Sequence, residues 1–280
     1  MPNLVYVSGT GRQAVELDAL PVHVGTANDL RGREWDYSLR YRSITGVNRP
    51  AREVQLNAWI LQRSEADRMR RVFDRDVANG TPGTFVAYGA WEQRGYVVAM
   101  DASGIYADVL AQKLTVVLLD GVWRKENIAH FDPNSGGGGS QYAYLDYTYN
   151  YSYDYSENAQ PDEIEASDYV PSAVKIVVFG PATDPQVTIG GNLYEVDVTV
   201  PAGGYLLVDG LAKTVALVTA NGTVTNVFDK AVRGTGEGGG SYIFQPLPVG
   251  ESAVVWDRTF GFDVHYYDEE GEPPWASATA

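Results

Sequence analysis

The residues best suited to chemistry are few and scattered along this sequence. His23, His130 and His265 are its three histidines, far apart and without a partner at metal-ligand spacing. The chain has no cysteine, so thiolate ligands and disulfides are excluded, and the histidines read as ordinary strand or loop residues. Asp268, Glu269, Glu270 and Glu272 offer the oxygen ligands that calcium takes, but they lie near the chain end beside Pro273 and Pro274 and read as a solvated tail. Glycines 234, 236, 238, 239 and 240 resemble a phosphate loop in composition alone. The lysine and hydroxyl of a nucleotide cradle are missing and no helix pattern follows, so a hairpin loop is expected. Neither a GxSxG elbow nor an HExxH motif occurs.

Sugar chemistry is the one class the residue types leave open. The chain carries 36 Asp and Glu, and the separation of any two carboxylates is set by the fold, not by their spacing in sequence. Trp35, Trp59, Trp91, Trp123, Trp256 and Trp275 are able to stack on sugar rings, although tryptophans in strands commonly belong to cores. No catalytic residue, metal ligand or cofactor-binding residue is assigned. The sequence reads as a non-enzyme without cofactors.

What remains is contact chemistry. Trp35, Tyr37, Leu39 and Tyr41 alternate with Asp36, Ser38, Arg40 and Arg42, and Val54, Leu56, Ala58 and Ile60 alternate with Glu53, Gln55, Asn57 and Trp59. Period-two alternation describes strands buried on one face and paired with neighbours. At Gln62 the period changes: Met69, Val72, Phe73 and Val77 form an apolar stripe at helical spacing. Ser64 is the expected cap, with Asp67 three residues on, and Asn79-Gly80 the stop. The helix arginines 68, 70, 71 and 75 sit off that stripe, where Asp67, Asp74 and Asp76 can pair with them. The polar positions Arg40, Arg42, Glu53, Gln55, Arg68, Arg71 and Arg75 are the candidate subunit interface.

Beyond Gly83, strands are expected over 84–87, 96–100 and 112–119, the last carrying the continuous apolar run Val116–Leu119 of a central strand. The C-terminal half shows short alternating runs at 174–179, 186–189, 193–200, 205–208, 214–219, 224–228, 242–244, 252–256 and 262–267. Turn residues such as Asp209-Gly210 and Asn221-Gly222 separate nearly all of them, a pattern that describes a β-sandwich. Between the halves runs a stretch from Asp132 to Pro171 with no Lys or Arg. It holds a Gly/Ser run at 135–140 and tyrosines at 147, 149, 151, 153 and 155, a spacing that in extended chain puts five phenols on one face. Such a face is expected to dock on a neighbouring domain. The expected organisation is 1–131, a sheet-rich α+β domain with one helix; 132–171, a Gly/Tyr-rich acidic linker; and 172–280, an antiparallel β-sandwich.

Charge follows that division. Residues 1–131 hold 16 Lys and Arg against 15 Asp and Glu, while residues 132–280 hold 5 against 21; the resulting +1 and −16 make up the net −15. A strongly acidic half repels nucleic acid and anionic membrane surfaces, and the balanced half carries no basic patch. No apolar run approaches the ~20 residues of a membrane helix, and the N-terminus lacks a basic start and an apolar signal core.

The order of parts resembles the distal tail proteins of long-tailed, siphovirus-type bacteriophages. The resemblance rests on VKIVVFGPATDPQVTIGGNLYEVDVTVPAGGYLLVDGLAKTVALV and YIFQPLPVGESAVVW, with Gly180 and Asp184-Pro185, Leu206 to Gly210 and Leu247 to Gly250 in the family's order. The tyrosine-rich joint DYTYNYSYDY and the N-terminal domain, with one helix between strands and the exit LTVVLLDGVWRKE, are also like the family. This resemblance implies a ring-forming N-terminal domain and a galectin-like sandwich. It implies a structural virion protein, made in the host bacterial cytoplasm, that forms a homo-hexameric ring at the tail tip. There it would join the tail tube to the tail-tip and receptor-binding proteins of the same phage, binding no nucleic acid specifically and inserting into no membrane. A carbohydrate-binding host-adsorption module and a glycosidase-type enzyme stay open as alternatives.

Overall fold

The computed structural model describes residues 4–25, 30–106, 109–133, 162–167 and 170–273. Its internal contacts divide the chain into two units, the first made of the residues up to Glu126 with those from Glu269 onward, the second running from Asn127 to Asp268. The chain is mainly β: a sheet-rich first unit that holds the one long helix among the described residues, then an antiparallel sandwich. The Gly/Ser run and the tyrosine row lie outside the described residues.

In the first unit the strands are β1 (Leu4–Val7), β2 (Ala14–Glu16), β3 (Val22–His23), β4 (Asp36–Arg40), β5 (Ser43–Asn48) and β6 (Arg52–Ile60). After the helix α1 (Arg63–Asn79) come β7 (Gly83–Ala87), β8 (Trp91–Tyr106), β9 (Val109–Leu118) and β10 (Trp123–Phe131). They pair antiparallel in the order β2-β1-β7-β8-β9-β6-β3, with β10 joined to the start of β8 through Arg124 opposite Glu92. The apolar stripe of α1, Ala66, Met69, Val72 and Phe73, buries against Leu56, Ala58 and Ile60 of β6 and Leu114, Val116 and Leu118 of β9. Because strand side chains alternate, Glu53, Gln55, Asn57 and Trp59 of β6 point away from the helix-covered face.

The helix stops at Asn79-Gly80 as expected, but its start and the buried face of its last turn differ from the sequence expectation. Gln62 is its N-cap and supplies no side-chain hydrogen bond, so Ser64 is not the cap; Gly80, at φ 63°, closes the other end in the left-handed conformation that lacks a steric penalty for glycine. Val77 is exposed and Asp76 takes its place on the buried face. That carboxylate does not pair with the helix arginines. It accepts hydrogen bonds from the Tyr6 hydroxyl (2.7 Å), the Ser8 hydroxyl (2.7 Å) and the Thr10 backbone N–H (3.1 Å), tying the end of α1 to β1 and the turn after it. Tyr6 meets Phe73 and Phe85 edge-on at ring distances of 5.1 and 5.0 Å. Gly83 lies so close that a Cβ there would sit 2.3 Å from the Tyr6 ring.

The acidic cluster near the chain end is likewise not a solvated tail. The Glu269 carboxylate accepts from Arg124 Nε at 2.8 Å, Glu272 Oε2 accepts from the Gly32 N–H at 3.1 Å, and Arg31 Nη1 donates to the Pro273 carbonyl at 2.9 Å. Arg124 also approaches Asp120, which Arg94 holds from the other side. Residues 269–273 are thus a strap on the first unit.

In the second unit, β12 (Val174–Phe179), β17 (Tyr205–Asp209), β18 (Thr214–Val218), β19 (Val224–Asn226) and β21 (Phe262–Glu270) form one sheet in the order β21-β12-β17-β18-β19. The other contains β11 (Asp162–Glu165), β20 (Glu251–Val255), β14 (Gln186–Ile189) and β15 (Asn192–Glu195), with a small β13 (Ala182–Thr183) and β16 (Thr199–Val200) pair beside them. Their inward residues, among them Ile176, Val178, Leu206, Val208 and Val264 from one sheet and Ile164, Val187, Ile189 and Val254 from the other, share a single core. β11 lies within the stretch assigned above to the linker, the expected strand 193–200 breaks at Val196, and residues 242–244 form a turn instead of a strand.

Asp76 sets a pH dependence with a definite sign. Burial by itself raises its carboxyl, but the hydrogen bonds from Ser8, Tyr6 and Thr10 outweigh burial and hold it below the ordinary aspartate value. A carboxyl depressed in the folded state contributes stability above its unfolded value of about 3.9, and that stability is lost as pH falls toward the folded value. Asp76→Asn should cost about 3 kcal/mol in urea unfolding at pH 7, since an amide cannot accept from all three donors, and should flatten the decline of stability below pH 4. A variant as stable as wild type at pH 7 would remove Asp76 from this role. The strap is tested separately: ending the chain at Asp268 should speed hydrogen exchange of the Gly32 amide about tenfold or more.

Candidate interaction surface

The pairing of β4 with β5 produces a hairpin in which no residue is buried. Its sequence alternates as strands do, yet its apolar side faces solvent: Leu39 is 76% exposed and Ile44 57%, directly opposite each other across the pair, with Tyr37 two residues along on the same face. The expectation of a half-buried strand at 35–42 is therefore corrected, because among the described residues β4 pairs with β5 alone and none covers its apolar face. Arg49 places its guanidinium over the ring of Trp35, 4.5 Å from its centre, at the hairpin base.

Two backbone features shape the hairpin. A bulge sets Tyr37 against two residues of β5, with Gly46 at φ 62°. At the tip, Tyr41 holds φ 51°, a left-handed conformation uncommon outside glycine and asparagine, with its side chain fully exposed. Backbone strain of this kind persists where surrounding structure enforces it and clusters at functional sites.

The polar interface candidates fall into three places. Arg40 ends β4 and Arg42 forms the exposed turn, so both ride on the hairpin. Glu53 and Gln55 lie on the outward face of β6, where they line an open depression of 560 Å³ with Asn57 and Lys113. The helix arginines are on the opposite side of that sheet. Arg68 is held by Glu65 and by the Ala14 carbonyl, and Arg71 by the Asp67 carbonyl, while Arg75 is exposed near the helix end.

The chemical candidates are also placed. His23 lies 2.9 Å from Asp18, and His130 lies 2.7 Å from Asp263. His265 sits opposite Lys175. Among the described residues no three metal-ligating side chains converge. Glu163 and Glu251 are neighbours on the exposed faces of β11 and β20, and the Glu251 carboxyl, by hydrogen bonding and by like charge, raises that of Glu163. Trp123 and Trp91 are core, Trp35 and Trp59 are exposed, and Trp275 lies outside the described residues. The apolar hairpin face was missed as a contact surface because alternation is the same whether a strand meets its own core or another molecule.

No protein-family model and no curated protein matches the sequence. Solved structures do. A chain of the phage P2 baseplate, in its activated conformation with calcium, superposes with a TM-score of 0.62 at 10% identity, covering 98% of this chain and 100% of that one. The strontium form gives the same figures. The SPP1 Dit protein, described as a paradigm of hub adsorption apparatus in phages that infect Gram-positive bacteria, gives a TM-score of 0.55 at 12% identity over 96% of this chain and 99% of that one. The fold is thus that of phage baseplate and distal-tail hub proteins along nearly the whole chain.

If the hairpin face serves contacts and not the core, Leu39→Ser with Ile44→Ser should leave the unfolding free energy of the isolated chain within about 0.5 kcal/mol of wild type, as substitutions outside a core do. A loss above 2 kcal/mol in urea unfolding would show that the hairpin packs on its own chain.

Proposed function

We propose that this protein is a distal tail hub: a structural virion component, made in the host bacterial cytoplasm, whose copies form a hexameric ring at a phage tail tip between the tail tube and the adsorption apparatus. The observation that carries this reading is the whole-chain likeness in fold to a baseplate chain and to the SPP1 hub protein. The first unit is the ring-forming part and the second a galectin-like sandwich. Its partners are further copies of itself, the tail tube and the receptor-binding proteins of the same phage, and it works by assembly and not by catalysis.

The hairpin supports the ring. A ring needs a head-to-tail contact, one patch fitting a different patch on the next copy. A two-stranded arm with Tyr37, Leu39 and Ile44 in water is a projecting element able to reach a neighbour, and each such side chain, once covered, contributes about 1.5–3 kcal/mol. The near-neutral charge of residues 1–131 lets copies approach there, while the acidic remainder disfavours crowding at the contact.

Native mass measurement of the full chain at high concentration tests the reading. Six copies of the 30.5 kDa chain should give a species of about 183 kDa, and Leu39→Ser with Ile44→Ser should shift it to monomer without unfolding it. A wild-type monomer at every concentration that bound glycans saturably would favour the carbohydrate-binding module instead.

A further inference from the structure

On the helix-covered side of the first unit, a cavity of 340 Å³ opens between the first two turns of α1 and the outer parts of β8 and β9. Its floor is apolar, formed by Ala66, Met100 and Leu110. Into it faces Gln112. This residue continues the inward stripe of β9 that goes on through Leu114, Val116 and Leu118, so its position calls for an apolar side chain, yet it is an amide. Gln112 is only 8% exposed, and its side chain has no hydrogen-bond partner among the described residues. Its amide atoms are not among the buried polar atoms sealed from solvent, so the amide is open to a partner that enters the cavity.

The rim states what that group is. Arg63 and Arg70 stand on it, about two turns apart along the same helix face, together with Asp67. Asp67 is engaged by Arg70 at 2.8 Å, whereas Arg63 has no partner among the described residues. One guanidinium is therefore unneutralised beside a buried amide donor, over an apolar floor. The helix begins here without a side-chain cap, so its positive end adds to the same field. This combination suits a carboxylate on a short methylene stem, and a volume near the lower end of the ~300–1,000 Å³ range of ligand pockets suits a side chain more than a larger molecule.

We propose that this cavity receives an acidic side chain, Asp or Glu, from a second copy of the chain. The inference rests on the ring reading above. Its source is the ring contact itself: residues 1–131, which the ring reading places there, carry 15 Asp and Glu of their own, and a head-to-tail contact requires a concave feature on one face to meet a different, convex one on the next copy. Arg63 forms the ion pair, Gln112 donates to the second carboxylate oxygen, and Met100 and Leu110 cover the stem.

The test uses the full chain with Arg63→Lys. A water-soluble carbodiimide joins an amine to a carboxylate as an amide with net loss of water, and it does not couple a guanidinium. Covalent dimers whose cross-linked peptide maps to position 63 and to an acid of another copy are expected from this variant and not from wild type. Adding Gln112→Leu, similar in size but without the amide, should reduce that product at least fivefold. If native mass shows the oligomer while position 63 couples only within its own chain, for instance to Asp67, the pocket assignment is overturned and the ring reading stands. If no oligomer forms at any concentration, the ring reading fails and the assignment falls with it.

Discussion

A carboxylate buried inside the first unit sets the terms for its other parts. Asp76 has no cation beside it among the described residues, so its charge is met by a phenol, a hydroxyl and a backbone amide, which must all be in place at once. A buried charge is tolerated only when its hydrogen bonds are made. The end of α1, strand β1 and the turn after β1 are therefore held in one arrangement. Tyr6, fixed by its hydroxyl, places its ring between Phe73 and Phe85, and burial together with the neighbouring carboxylate pushes its own ionisation far above the ordinary phenol range. Gly83 is glycine because the ring leaves no room for a Cβ.

With the helix fixed on one face of the sheet, everything not needed for that packing becomes available for contact. The hairpin β4–β5 contributes nothing to either core and exposes its apolar face. The groove beside the start of α1 keeps an amide and a free guanidinium where interior packing would favour leucine. Both are local departures from the consistent patterning of a self-sufficient fold, and such departures collect at functional places. Neither is a catalytic arrangement. Under the ring proposal, both serve contacts between copies of the chain.

The strap adds a second constraint. Residues 269–273 follow the last strand of the sandwich yet hydrogen-bond with Arg124, Gly32 and Arg31 of the first unit. The chain thus enters and leaves the second unit, and the first unit draws on segments from both sides of it. Asp120, kept ionised against its burial by Arg94 and Arg124, anchors the charged row to which Glu269 belongs.

Periodicity alone made the mainly β class, the single helix and most sandwich strands legible, because alternation and the 3.6-residue repeat are local properties of strands and helices that any core would require. The turn dipeptides located the hairpins of the second unit for the same reason. What periodicity could not show is what lies opposite each face. Leu39 and Leu56 sit in equally alternating strands, and only the pairing of β4 with β5 alone, against the pairing of β6 with β9 under α1, decides that one is in water and the other in a core. Asp76 reads as one more solvated helix acid until the turn after β1 brings three donors to it, and Glu272 reads as tail until Gly32 meets it, 240 residues away. Charge and hydrogen bonding depend on neighbours distant in sequence, so they were settled by the tertiary structure, whereas the hydrophobic pattern was written in the chain.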